Sequence, residues 1–103
     1  MLSGSLSNDD YPRAAIRARE QGTTIIRFTV GANGRASNCV LWQSSGSALL
    51  DGTTCGLVTR RFRYVPAKDA AGRNVLEWMA IRVHWELPAN IRLESPVPYS
   101  ETE

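Results

Sequence analysis

The sequence predicts an α+β domain: two helices packed on one face of a three-stranded antiparallel sheet, in the order α-β-β-α-β. Three observations lead there. Residues 23–30, 35–43 and 75–87 alternate side-chain character with the two-residue period of a strand. Gly31-Ala32-Asn33-Gly34 joins the first two as a hairpin, because Asn-Gly accepts the positive φ values of a tight turn. A segment with apolar residues at helical spacing separates the second stretch from the third. That crossover makes the second and third strands run in the same direction, so the third pairs with the first. The spatial order is then 2-1-3, a split βαβ arrangement.

Residues 1–9 are polar and read as a flexible leader, with the domain over 10–88 and an extended polar tail over 89–103. Asp10 precedes Tyr11-Pro12, and proline suits a first helical turn, where its missing N–H costs nothing. Ala14, Ala15, Ile16 and Ala18 favour a helix of about ten residues, closed by Gly22 just past its C-cap. In the first strand Ile26, Phe28 and Val30 share one face, and Ile25, Arg27 and Thr29 the other. In the second strand Cys39 and Leu41 share a face opposite Val40 and Trp42.

Ser44-Ser45-Gly46-Ser47 breaks that strand and offers N-cap hydroxyls. A helix follows from Ala48 to about Arg63, with Leu50, Val58 and Phe62 apolar. Gly52 and Gly56 weaken it by about 1 kcal/mol each relative to alanine. Arg60, Arg61 and Arg63 suit the negative end of its dipole, and Val65-Pro66 stops it. The loop Ala67–Asn74 has turn chemistry. The third strand runs from about Val75 to Leu87, where Met79, Ile81, Val83, Trp85 and Leu87 alternate with Ala80, Arg82, His84 and Glu86. Pro88 ends it. In the tail, Ile91-Arg92-Leu93 is a β-prone island that either stays extended or folds back as a fourth strand.

The core side of this sheet carries Ile26, Phe28, Val30, Cys39, Leu41, Ile81, Val83 and Trp85. Its other side carries Ile25, Val40, Trp42, Trp78 and His84 with no helix to cover them, a surface for a homodimer, another partner or the tail. The third strand is an edge, with a row of unpaired N–H and C=O groups that is either blunted or used. Arg82, Glu86 and the tail are candidates for the blunting.

The chain has 103 residues, 12 Lys+Arg against 10 Asp+Glu, and a formal charge of +2. That is one domain by length and too little positive charge to argue for nucleic acid. No stretch approaches the roughly 18 apolar residues of a transmembrane helix. The opening residues lack the regions of a signal peptide and read as a cut end. One histidine and no Cys-x-x-Cys pair leave no structural metal site, and no cofactor motif is present. Ser44, Asp51 and His84 are triad residue types without an elbow motif, so catalysis is not expected. Cys39 and Cys55 are either two buried thiols or one disulfide, for which the fold above makes the geometry reasonable.

Tyr11-Pro12-x-x-Ala15, Asn33-Gly34-Arg35, Ser44-Ser45-Gly46, Leu50-Asp51, Arg61-Phe62-Arg63-Tyr64-x-Pro66-Ala67 and Gly72 come in order, before a closing strand. Together they resemble the C-terminal domain of the TonB family, over about residues 9–88. The resemblance implies a place in the Gram-negative periplasm. It also implies a longer protein, anchored by an inner-membrane helix that meets the ExbB–ExbD motor and carrying a proline-rich spacer. The C-terminal domain of that family grips the TonB box, a short peptide of outer-membrane transporters for siderophores, vitamins or glycans. It does so by adding the box as a strand beside its last strand. Carried over, the partner-binding residues are Met79, Ala80, Ile81, Arg82, Val83, His84 and Trp85, with Tyr11 and Pro12 in the stretch that touches the transporter. An oxidising periplasm favours the Cys39–Cys55 bond, although the pair is not general to the family. A second reading keeps the fold and changes the partner, as in TolA-like envelope proteins or signalling modules.

Overall fold

A computed structural model describes residues 4–94 of the chain. The elements, in order, are a 3-10 turn at Asn8–Asp10, α1 (Arg13–Arg17), β1 (Gly22–Val30), β2 (Ala36–Gln43), α2 (Ala48–Arg61), β3 (Ala67–Lys68), β4 (Asn74–Val75), β5 (Glu77–Glu86) and β6 (Asn90–Glu94). The main sheet has the strand order β2-β1-β5-β6, all antiparallel. The α+β class and the expected 2-1-3 core of the sheet are present. The strand count is corrected from three to four, because residues 90–94 of the expected tail pair along the outer side of β5. Residues 95–103 of that tail lie outside the described residues.

Six of the eight expected core-side residues form the buried face: Ile26, Phe28 and Val30 on β1, and Ile81, Val83 and Trp85 on β5. Against them lie Leu50, Leu57 and Val58 of α2, then Phe62 and Tyr64 beyond its end. Leu41 is 45% exposed and Cys39 is half-buried. The reason is local. The β1–β2 register slips twice, and Asn38 adopts φ 54°, so the outer strand is bulged just before Cys39. Cys39 still reaches that helix, and its sulfur is bonded to that of Cys55, with 5.9 Å between the Cα atoms. Closing a loop of 16 residues in this way contributes about 3 kcal/mol on the chain-entropy model.

The first helix is shorter than expected, at five residues. It ends in a Schellman motif: the Glu20 amide donates to the Ala15 carbonyl and the Arg19 amide to that of Ile16. The left-handed position after the C-cap is therefore Arg19, at φ 57°, rather than Gly22. Gly22 has a different task. A Cβ there would lie 2.3 Å from the Ser45 carbonyl oxygen, so glycine lets the 44–47 loop close on β1. Ser7 and Asp10 form a capping box around the 3-10 turn. The last long strand is interrupted at Leu76, which separates the short β3–β4 hairpin from β5.

Asp51, on α2, is only 8% exposed. Its carboxylate accepts from the Thr24 hydroxyl of β1 at 2.9 Å, the Ser45 amide at 2.9 Å and the Ser45 hydroxyl at 2.8 Å, and from the Ser44 hydroxyl. Burial works to raise its pKa, and the hydrogen bonds from Ser44, Ser45 and Thr24 outweigh it, leaving the carboxyl below the ordinary aspartate value of 3.8. Ser47 caps the same helix, its hydroxyl accepting from the Leu50 amide at 3.1 Å. Deeper in, the Trp85 indole N–H donates to Thr54 Oγ1, whose hydroxyl donates to the Leu50 carbonyl.

Two outcomes follow for stability. Asp51→Ala leaves several donors unmatched and lowers unfolding free energy by about 3 kcal/mol in urea titrations at pH 7. Since the folded carboxyl titrates below its unfolded value, its contribution is complete above pH 3.8 and is lost as the pH falls through the folded pKa. Asp51→Asn therefore loses less stability than the parent over that acid range; equal slopes would refute the assignment. Arg19→Gly relieves a left-handed arginine and raises stability by roughly 0.5–1 kcal/mol, read as a higher thermal midpoint.

Candidate docking edge of the sheet

Two-residue alternation sends the side chains of β5 to opposite faces and its backbone groups to opposite edges. One edge is filled by β1 from Gly22 to Val30. On the other, β6 covers Arg82 to Glu86, leaving Glu77 to Ile81 with no strand beside it among the described residues. The expected edge Met79–Trp85 is thus split. The backbone of Met79, Ala80 and Ile81 lies along the uncovered half, whereas Arg82, Val83, His84 and Trp85 pair with Glu94, Leu93, Arg92 and Ile91.

The backbone directions can be placed. The Ile91 amide turns away from β5 and donates to Asn8 Oδ1 at 3.2 Å. Trp85–Ile91 is therefore a pair without mutual hydrogen bonds, and the even-numbered residues of β5 direct N–H and C=O toward β6. In the uncovered half those residues are Trp78 and Ala80.

What holds β6 is divided between the two faces. Ile91 and Leu93 pack against the core beside Trp85 and Val83. On the open face, Glu94 accepts from Arg82 at 2.8 Å and pairs with His84 Nε2 at 2.7 Å, while His84 Nδ1 meets the Thr23 hydroxyl at 3.0 Å. The hydrogen bond to His84, followed by the Arg82 charge, holds the Glu94 carboxyl below its usual range. Arg92 pairs with Glu86 one step along. These ion pairs are half-exposed, and such pairs are worth about 0–1 kcal/mol each. The clasp is therefore weak.

Tyr11 is a core residue, 2% exposed, with its ring set edge-on to Trp85 at 5.3 Å and its hydroxyl donating to the Glu20 carbonyl. Burial, then the Glu20 charge, raises its pKa. Beside it, Pro12 is half-buried, and a groove is lined by Tyr11 with Asn8, Asp9, Arg13, Ile16 and Ala89. The open face holds a second feature: the Arg27 guanidinium lies 5.1 Å from the ring centres of both Trp42 and Trp78. Ile25, expected there as an exposed residue, is 3% exposed.

The sequence reading left the fourth strand as one of two alternatives, and it missed the ion pairs that clasp β6 and Asp51 as a buried acceptor. For the first, the signal was Ile91 and Leu93 alternating with Asn90, Arg92 and Glu94 directly after the Pro88 turn. Among the described residues no cluster of His, Cys, Asp and Glu could hold a metal ion, and no helix is long and apolar enough to cross a membrane.

The model of the Gram-negative bacterial TonB protein C-terminal family matches residues 7–87. The match runs from the capping serine of the 3-10 turn to the end of β5 and stops before β6. No curated protein and no solved structure matches the chain. With most of its length covered, the chain belongs to the TonB C-terminal family, whose members are periplasmic, non-enzymatic interaction domains.

Proposed function

We propose that this domain binds the TonB box of an outer-membrane transporter by strand addition on β5, and that it passes on force delivered through the rest of a longer, inner-membrane-anchored protein. The observation that carries the reading is the edge at Trp78 and Ala80, which no strand fills among the described residues, in a chain of this family. An extended peptide placed there finds two outward N–H and two outward C=O groups. Running further, it meets Arg82–Glu86 and competes with β6 for them. The core-side packing of β6 covers only two residues, and its clasp is exposed, so exchange of one strand for another is inexpensive. Each backbone hydrogen bond nets about 1 kcal/mol. A short box therefore binds on the order of micromolar, which suits repeated engagement and release. The ExbB–ExbD motor would act through the part of the protein outside this chain. Tyr11, Pro12 and the groove that Tyr11 lines are the second contact for the transporter.

Adding a synthetic box peptide to the labelled chain should slow hydrogen exchange at the Trp78 and Ala80 amides and shift the β6 resonances. Shifts confined to α2 would reject the edge. Ala80→Pro removes one of the two donors; in a domain that keeps its Trp85 and Val83 signals, it should weaken the peptide about fivefold in calorimetry. Glu94→Gln loosens the clasp and should tighten the same peptide by roughly two- to fivefold. An unchanged affinity would show that β6 does not compete.

A further inference from the structure

Ahead of α1 the chain forms a short strap across one end of the domain. Leu6 packs on the core, and Ser7 to Tyr11 close a 3-10 turn in which the Asp10 amide donates to the Ser7 carbonyl and the Tyr11 amide to that of Asn8. The turn is anchored away from β6. The Tyr11 ring is buried edge-on to Trp85, and Asp10 pairs at 2.6 Å with Arg61, the last residue of α2. Asn8 is exposed and takes no part in these anchors with its side chain, which reaches the start of β6 instead. Asn8 Oδ1 accepts from the Ile91 amide at 3.2 Å, and Asn8 Nδ2 donates to Asn90 Oδ1 at 3.3 Å. The Ile91 amide points away from β5, so β5 cannot serve it. A side-chain carboxamide offers the donor and acceptor of a peptide unit, and Asn8 thus adds one rung to the outer edge of β6.

β6 is otherwise lightly held. It has five residues, its ion pairs are half-exposed, and only Ile91 and Leu93 reach the core. For such a strand a further pair of hydrogen bonds changes the docked population several-fold, because each nets about 1 kcal/mol. Asn8 is also in place before β6 arrives, since its anchors lie on Trp85 and α2. A donor–acceptor pair fixed in advance loses little entropy when it is used.

We propose that the 3-10 turn is a latch on β6: Asn8, set in place by Tyr11 and by the Asp10–Arg61 pair, keeps β6 on the sheet, and slackening of the turn releases it. Release would lengthen the stretch of β5 with no strand beside it, among the described residues, from Glu77–Ile81 to Glu77–Glu86. By linkage, whatever displaces β6 loosens the turn by the same factor. The latch bears on the edge used in the proposed function, but it is measured in the chain alone, so failure of peptide binding would leave it standing.

Hydrogen exchange tests it residue by residue. The His84 and Arg92 amides face each other across β5 and β6, the Ile91 amide faces Asn8, and the Val83 and Trp85 amides face β1. Asn8→Ala should speed exchange at His84 and Arg92 about fivefold, with Val83 and Trp85 unchanged as the sign of an intact core. Arg61→Gln removes no contact of β6, yet it should speed the same two amides about twofold, as loss of a partly exposed ion pair allows. In a chain that already carries Asn8→Ala, Arg61→Gln should add nothing at His84 and Arg92, because the connection runs through Asn8. Faster exchange at Ile91 alone in the Asn8→Ala chain would overturn the latch, since the turn would then shield one amide without holding the strand. So would an Arg61→Gln chain that keeps the parent rates, or one whose effect is the same with and without Asn8.

Discussion

The arrangement of the domain hangs on one buried carboxylate. Asp51 sits in the first turn of α2, yet its partners are Thr24 on the central strand and Ser44 and Ser45 in the loop after β2. A single group therefore sets the start of the helix against both strands it must cover. Gly22 lets the same loop approach β1 at its backbone, and Ser47 both caps α2 and donates to Glu20 beyond α1. Once α2 is pinned at this end, Leu57, Val58 and Phe62 fall over Phe28 and Val30, and Cys55 comes to Cys39. The Ser44-Ser45-Gly46 and Leu50-Asp51 stretches that carried the sequence resemblance are the two halves of that junction. A buried carboxylate fully matched by donors specifies one helix placement, because displacement leaves a charge unpaired in the interior.

Much of this was legible beforehand, for reasons that differ by element. The hairpin after β1 and the alternation of β1 and β5 are local chemistry and appear as expected, except that the turn takes a positive φ at Gly34 (80°) and not at Asn33. The disulfide needed the sheet order, and the sheet order needed only the crossover. Failures arise where tertiary context decides. Gly22 resembles a helix stop, but its glycine is required by Ser45, which is distant in sequence. Leu41 has the right parity for the core and is exposed, on a strand whose register against β1 slips twice. The family strand edge was assigned whole. Its division into an open half and a covered half depends on five residues with too short an alternation to separate from a tail. Tyr11 shows that a residue in a family contact stretch can have its ring committed to Trp85.

β5 is the element that carries three surfaces at once. Its odd residues, Ile81, Val83 and Trp85, form the core; its even residues, Trp78, Ala80, Arg82 and His84, form the open face; its backbone forms the edge. This separation lets a peptide be added at the edge without disturbing the packing beneath. Both the ion-pair clasp and the tryptophan–arginine contact are on the open face, away from the helix-covered core.

The same topology gives the order in which contacts part under load. All nine residues of β1 pair with β5, and β1 is itself held by β2 and by the Asp51 junction. A short peptide on the opposite edge of β5 has fewer backbone bonds and no covering helix. When bonds are loaded together along their length, the set with fewer members yields first, so the peptide parts from β5 before β5 parts from β1. The disulfide adds to the difference on the side away from the load, because it joins β2 to α2 covalently. Under the proposed function, a domain of this size acts as a repeated grip: its weakest interface is the one it would make with the peptide, and its own sheet is the stronger element in series.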